Sequence, residues 1–153
     1  NYEAFSILRP TSPFRNAETI KRAYEEFRSD KSLDSLRAVE LCSQHPGKIW
    51  RVFGALLVPL LPVQSEDAEW YSSPTQSLPE VWVQIACIEF AYTRCLFEHK
   101  SISGKRIKAF KTIFPEGVDL NTETDVLRLN FLVESGEYSL PTIKTEPFVA
   151  LAN

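Results

Sequence analysis

A chain of 153 residues with 44% hydrophobic content has enough apolar mass for one core, and a formal charge of −3 describes an ordinary soluble domain. Nucleic acid is not the expected partner of so balanced a chain. No apolar run reaches membrane-spanning length, and the start, Asn1-Tyr2-Glu3-Ala4, has no basic-then-apolar leader, so no membrane partner is expected.

In chain order, the first strand begins at about the second residue and includes Ser6-Ile7-Leu8. It runs into Arg9-Pro10-Thr11-Ser12-Pro13-Phe14-Arg15, where two prolines keep two hydroxyls out of helix between two arginines. Ligands of open α/β sheets sit beyond the carboxyl ends of buried strands, so this turn reads either as the floor and rim of a binding site or as an ordinary strand-to-helix loop. Asn16 caps a helix running to about Arg28. Ile20, Ala23, Tyr24 and Phe27 recur at helical spacing as its buried stripe, with Glu18, Lys21, Arg22, Glu25 and Glu26 on the wet side. Residues 29–32 form a loop, and Ser35 to Cys42 is expected as a strand covered on both faces.

Between His45 and Pro79 the chain breaks into short apolar pieces. Ile49 to Phe53 and Ala55 to Leu61 predict a hairpin joined through Gly54, whose Trp50, Phe53, Leu56, Leu57, Leu60 and Leu61 need a surface to lie against. His45 precedes a turn and has no nucleophile pattern around it, so it is read as a hydrogen-bonded structural residue, and His99 as an exposed loop residue. Val81 to Tyr92, the longest β-like run, is expected as a central strand. Arg94 to His99 makes a helical turn, Gly104 breaks it, and Arg106 to Ile113 alternates charge with apolar residues as an edge strand does. Arg106, Lys108 and Lys111 either keep that edge soluble or attract phosphate. Thr122 and Asp125 spell a capping box for a last helix with Val126, Leu127, Phe131 and Val133 as its apolar face and Gly136 at its end. Glu137 to Asn153 is an extended tail without a motif. Cys42, Cys87 and Cys95, odd in number and flanked by apolar residues, are expected as buried free thiols in a reducing cytoplasm, with no zinc spacing among them.

The string Leu8-Arg9-Pro10-Thr11-Ser12-Pro13-Phe14-Arg15 resembles the Leu-Gln/Arg-Pro-Thr-Ser-Pro-Leu/Phe-Arg signature of the acylneuraminate cytidylyltransferases, which make CMP-sialic acid and related CMP-nonulosonates. Further similar strings follow in the family's order: Asp34 to Val39, His45 to Trp50, Gln76 to Gln84 and Glu116 to Asn121. The resemblance implies an α/β fold, a Rossmann-like nucleotidyltransferase (GT-A-like) mixed sheet with a protruding dimerisation arm. Residues 1–153 are then the C-terminal portion of a single cytidylyltransferase domain, with 44–79 as the arm that reaches to a second subunit of a homodimer. The family's N-terminal strands and its Gly/Ser/Lys-rich CTP-phosphate loop are absent from this stretch. The five glycines, which stand singly, and the lack of any methionine agree with a fragment.

The activity so implied is transfer of CMP from CTP to a sialic-acid-like nonulosonic acid, an acidic nine-carbon sugar, with release of pyrophosphate and with Mg2+ as cofactor. The fragment alone is expected to be inactive. By the same resemblance Asp119 is the catalytic, metal-binding carboxylate, Asn121 stands at the second metal position where the family has aspartate, and Arg9, Thr11, Ser12, Arg15 and Gln76 bind substrate. Arg9 in place of glutamine, Thr75 in place of arginine and Ile85 in place of asparagine depart from the better-known sialic acid enzymes and leave the sugar open. Two other readings stand beside this one: a catalytically inactive dimer or sugar-binding module, and a related sugar nucleotidyltransferase acting on another acidic or amino sugar.

Overall fold

The elements in chain order are β1 (Ala4–Ile7), α1 (Ala17–Arg28), β2 (Ser35–Leu41), β3 (Trp50–Phe53), β4 (Leu56–Pro59), β5 (Trp82–Tyr92), α2 (Arg94–Glu98), β6 (Ile107–Lys111) and α3 (Glu123–Glu134). The computed structural model describes residues 2–61 and 69–145, and over these the architecture is mixed α/β with a sheet of parallel and antiparallel strands. The sheet order is β1-β5-β2-β6, and β3 with β4 forms a separate ribbon. Residues 146–153 of the expected tail, and 62–68 of the expected arm, lie outside the described residues. The chain divides into two units, Asn1–Ala38 with Ile85–Asn153, and Val39–Gln84.

In the first unit β5 is an inner strand, as its apolar run predicts, and its Cys87 to Tyr92 stretch is buried. The expected edge strand is β6. The opening strand is an edge as well: β1 pairs only with β5, antiparallel with Ala4 opposite Tyr92, and is half-buried where a buried strand was expected. The core joins Ala23 and Phe27 of α1 to Leu36, Ala38, Ile88 and Phe110 of the sheet. Phe27 packs its ring 4.4 Å from Tyr92 and 5.7 Å from Phe90.

Asn16 starts α1 by accepting the Thr19 N–H at 2.9 Å, which satisfies one of the orphan donors of the first turn. Two positions of this helix correct the periodicity. Tyr24 of the expected stripe is 44% exposed, because Thr19 takes the buried place one turn before Ala23. Arg22, expected on the wet side, is half-buried, paired with Glu116 and laid 4.8 Å over the Phe110 ring.

In α3 the capping box is present, with Thr122 Oγ1 accepting from the Asp125 N–H and Asp125 Oδ2 accepting from the Thr122 N–H at 2.8 Å. Its buried face is the expected one only at Val133; Val126, Leu127 and Phe131 of the expected face are exposed. Leu132, with Leu129 and Val133 beside it, packs on Phe14 and Val118, while Leu127 and Phe131 are 69% and 71% exposed. Both faces of this helix are apolar, so spacing alone does not choose between them; the position of Phe14 and Val118 does.

The second unit holds the ribbon. Its register pairs Trp50 with Pro59, Val52 with Leu57 and Phe53 with Leu56, and Gly54 supplies the positive φ of +61° that the tight connection needs. Nearly every side chain of the ribbon is exposed, including Val52 at 70% and Leu56 at 71%. His45 is buried here, its Nδ1 accepting from the Gly47 N–H at 3.0 Å and its Nε2 lying 3.1 Å from the Pro79 carbonyl, which fixes the proton on Nε2. Cys87 and Cys95 are buried free thiols, whereas Cys42, expected to be buried, is half-buried, its thiol 2.9 Å from the Gln44 carbonyl.

Candidate functional site

The turn that follows β1 is held by its own sequence. Arg15 donates from Nη1 to the Arg9 carbonyl at 2.8 Å and to the Cys87 carbonyl at 2.7 Å, so it folds the turn back on itself and ties it to β5. Phe14 enters the small core with Val118 and Leu132. The Leu120 N–H donates to the Thr11 carbonyl at 2.9 Å. The backbone thereby joins the Thr11-Ser12 turn to the Asp119-Leu120-Asn121 turn, two stretches more than a hundred residues apart in sequence.

A second clamp fixes the same region. Glu116 accepts from Thr19 Oγ1 at 2.7 Å, from Arg22 through both guanidinium nitrogens at 3.1 and 2.6 Å, and from the Ile113 N–H at 2.8 Å. Burial pushes the Glu116 carboxyl up, but Arg22, the Ile113 amide and Thr19 outweigh it and leave the group below the usual glutamate range. The Arg22 guanidinium is pushed up by the same partner. The segment 113–121 is therefore anchored to α1 by a charge-assisted fork before Asp119 is presented.

At the junction two oxygens are left over. Ser12 Oγ and Asp119 Oδ1 are both buried and neither has a hydrogen-bond partner. Leaving such a group unmade costs about 1–3 kcal/mol, so each of the two atoms is a place where a ligand atom or a water would be held. Asp119 Oδ2 accepts from Asn121 Nδ2 at 2.9 Å. Asn121 thus orients Asp119, and the orphaned Oδ1 is the hard acceptor of the pair. A hydroxyl and a carboxylate with one free lobe, on two turns joined through their backbones, suit a polar ligand that offers both an acceptor and a cation or donor. Cys87, whose carbonyl the turn uses, is no nucleophile: burial pushes its thiol up to about 11.

Magnesium is the metal implied by the resemblance, and the donor set meets it on narrow terms. Among the described residues no group of three or more His, Cys, Asp or Glu side chains is placed to hold a metal. Mg2+ commonly takes one or two carboxylates and fills its octahedron with water and substrate phosphate, so the orphaned Asp119 Oδ1 fits as a single protein ligand.

Of the residues singled out in the sequence, Thr11 and Ser12 share a turn that the Thr11–Leu120 bond joins to the turn of Asp119 and Asn121, while the Arg15 guanidinium is taken up by the Arg9 and Cys87 carbonyls. Arg9 is exposed, and contributes its carbonyl. Gln76 is exposed at the centre of a 3₁₀ turn, Thr75–Ser77, in the second unit. The spacing of residues did not reveal two ion pairs. One is Arg22 with Glu116. The other is Arg37 with Glu89, buried between β2 and β5, with Ser103 Oγ also bound to Arg37. The available signal was a charged residue inside each of two apolar strand runs. Compared with protein-family models and with curated proteins, the chain matches none. Among the described residues no helix is long and apolar enough to cross a membrane.

Proposed function

We propose that this chain is the sugar-side portion of a Rossmann-like cytidylyltransferase, which transfers CMP from CTP to an acidic nine-carbon sugar and releases pyrophosphate. The observation that carries this reading is the junction of the Thr11-Ser12 turn with Asp119, where Ser12 Oγ and Asp119 Oδ1 are buried without partners. In this reading Ser12 donates to or accepts from the substrate, Arg15 holds the turn in place, and Arg9 offers a planar cation to the sugar carboxylate from an exposed position. Asp119, oriented by Asn121, holds magnesium, which when bound supplies charge neutralisation at the phosphates. The protein's own part is to align the attacking sugar hydroxyl and to keep the site's polar groups fixed before substrate arrives. The exposed ribbon of β3 and β4 serves as the arm of a homodimer, and the free thiols suit a cytoplasmic setting.

The test is titration of the isotopically labelled chain with a CMP-nonulosonate, with and without Mg2+. Saturable shifts at the amides of Thr11, Ser12 and Leu120, with a magnesium dependence that Asp119→Asn removes, are expected. Shifts confined to other residues would overturn the assignment of the site. The chain alone, which has no Gly-rich stretch, is expected to release no pyrophosphate from CTP and the sugar; turnover by it would remove that part of the proposal. In an enzyme that carries this chain, Asp119→Asn is expected to slow turnover about a hundredfold, near 3 kcal/mol in the transition state, with folding intact.

A further inference from the structure

The turns that carry Ser12 and Asp119 are joined directly at two points. Phe14 packs in one small core with Val118, an apolar contact without directional preference, and the Leu120 N–H donates to the Thr11 carbonyl. A single hydrogen bond fixes a distance between two turns but leaves them free to swing about it.

Glu116 supplies a third point. It stands three residues before Asp119, and its carboxylate reaches Thr19 and Arg22 of α1, the helix into which the Thr11-Ser12 turn runs. Oε1 accepts from the Thr19 hydroxyl at 2.7 Å and from Arg22 Nη1 at 3.1 Å, while Oε2 accepts from Arg22 Nη2 at 2.6 Å and from the Ile113 N–H at 2.8 Å. Four donors on two oxygens use the full capacity of a carboxylate, so Glu116 has nothing left to offer a ligand. Asp119 differs in this respect, because its Oδ1 has no partner. The donors to Glu116 are themselves fixed. Thr19 is fully buried and the Arg22 guanidinium lies 4.8 Å over the Phe110 ring, so the core sets where the carboxylate stands.

We propose that Glu116 and Arg22 are positioning residues of the Ser12–Asp119 site, holding Asp119 Oδ1 in the orientation in which it takes a divalent cation. This role rests on the function proposed for that site. Glu116 and Arg22 touch neither the cation nor the substrate. Position and charge act with opposite signs at Arg22: taking away its positive charge would by charge alone tighten the hold on a cation, whereas loss of orientation loosens it.

The test is titration of the isotopically labelled full chain with MgCl2 alone, read at the Asp119 and Leu120 amides. Arg22→Met removes the fork, and Thr19→Val removes one donor to Glu116 with no change of charge and little change of shape. Each is expected to weaken Mg2+ binding about tenfold, and Arg22→Lys, which keeps the charge without the planar fork, about threefold. Hydrogen exchange at the Leu120 amide is expected to quicken about tenfold in Arg22→Met, while that of Ile88 in the inner strand stays within about twofold. Mg2+ held as tightly or more tightly by Arg22→Met, or by Thr19→Val should the first variant not fold, would overturn the positioning role alone. Equal quickening at Ile88 would do so too, since the pair would then hold up the whole unit and not the site. An unsubstituted chain whose Asp119 amide does not respond to Mg2+ would overturn the reading of the site and this role with it.

Discussion

Ser12 shows how a single side chain weighs stability against use. Its hydroxyl is buried and unpartnered, so Ser12→Ala removes an unmet polar group and is expected to raise stability by about 1 kcal/mol in urea denaturation. The same change is expected to weaken binding of the CMP-nonulosonate. A loss of stability instead would mean that the hydroxyl has a partner in solution and the site loses its main support. Gly104 is the opposite kind of residue, fixed by shape. Its φ is +67°, and an added Cβ would stand 2.4 Å from the Cβ of Asp34, whose carboxylate accepts the Lys105 and Arg106 N–H groups at 2.7 and 3.0 Å. Gly136 has a φ of +75° with nothing near its absent Cβ. Gly104→Ala is therefore expected to cost about 3 kcal/mol or more and Gly136→Ala about 1 kcal/mol, measured by the same denaturation.

At the scale of elements, α3 separates what sequence pattern can give from what packing decides. The cap was legible, because Thr122 and Asp125 act within one turn of chain. The buried face was not, because Leu127 with Phe131 and Leu129 with Leu132 are both apolar pairs at helical spacing. Leu132→Ala is expected to cost about 2–4 kcal/mol, and Phe131→Ala less than about 0.5 kcal/mol, in thermal or urea unfolding. Equal costs would restore the face predicted by spacing. Helix α1, the hairpin, and the inner place of β5 were legible for the same local reason: caps, turn glycine and run length lie within a few residues. The joining of Thr11 to Leu120, the Arg22–Glu116 fork and the edge position of β1 were not, since each depends on partners far away in the chain. The β3–β4 ribbon gives its own test. A two-stranded ribbon with both faces apolar is marginal in water, so replacing Leu57 and Leu60 together by Asp is expected to turn a dimer into monomers by light scattering. A wild-type chain that is already monomeric at high concentration would refute the arm.

At the scale of the molecule, carboxylates set the acid limit of the first unit. Asp34 is held below the usual aspartate range, first by the Arg106 and Lys105 N–H groups and against burial, and Glu116 is likewise lowered. A carboxyl lowered in the fold binds its proton more weakly there than in the unfolded chain. The stability it adds is thus complete above its ordinary value, roughly 3.9 for Asp and 4.3 for Glu, and is lost as pH falls through the lowered one. Stability is expected to be flat with respect to these groups above about pH 5 and to decline below about pH 4, and Glu116→Gln is expected to shallow that decline while lowering the plateau. An unchanged acid limb in the variant would exclude Glu116 from the linkage.

The Arg37–Glu89 pair buried between β2 and β5 makes the alignment of those strands a decision with one answer. Side chains alternate along a strand, so a slip of one residue would turn Glu89 toward the aromatic layer of Phe27 and Phe90 and leave Arg37 without its counter-charge. The pair need add nothing to net stability to do this; it penalises the misaligned sheet more than it rewards the aligned one. Exchanging both for apolar residues of similar size, Arg37→Met with Glu89→Leu, should leave the melting temperature equal or higher and yet split backbone resonances of β2 and β5 into more than one set. In evolutionary terms these two positions are then bound to change together, since either change alone strands a charge inside the protein.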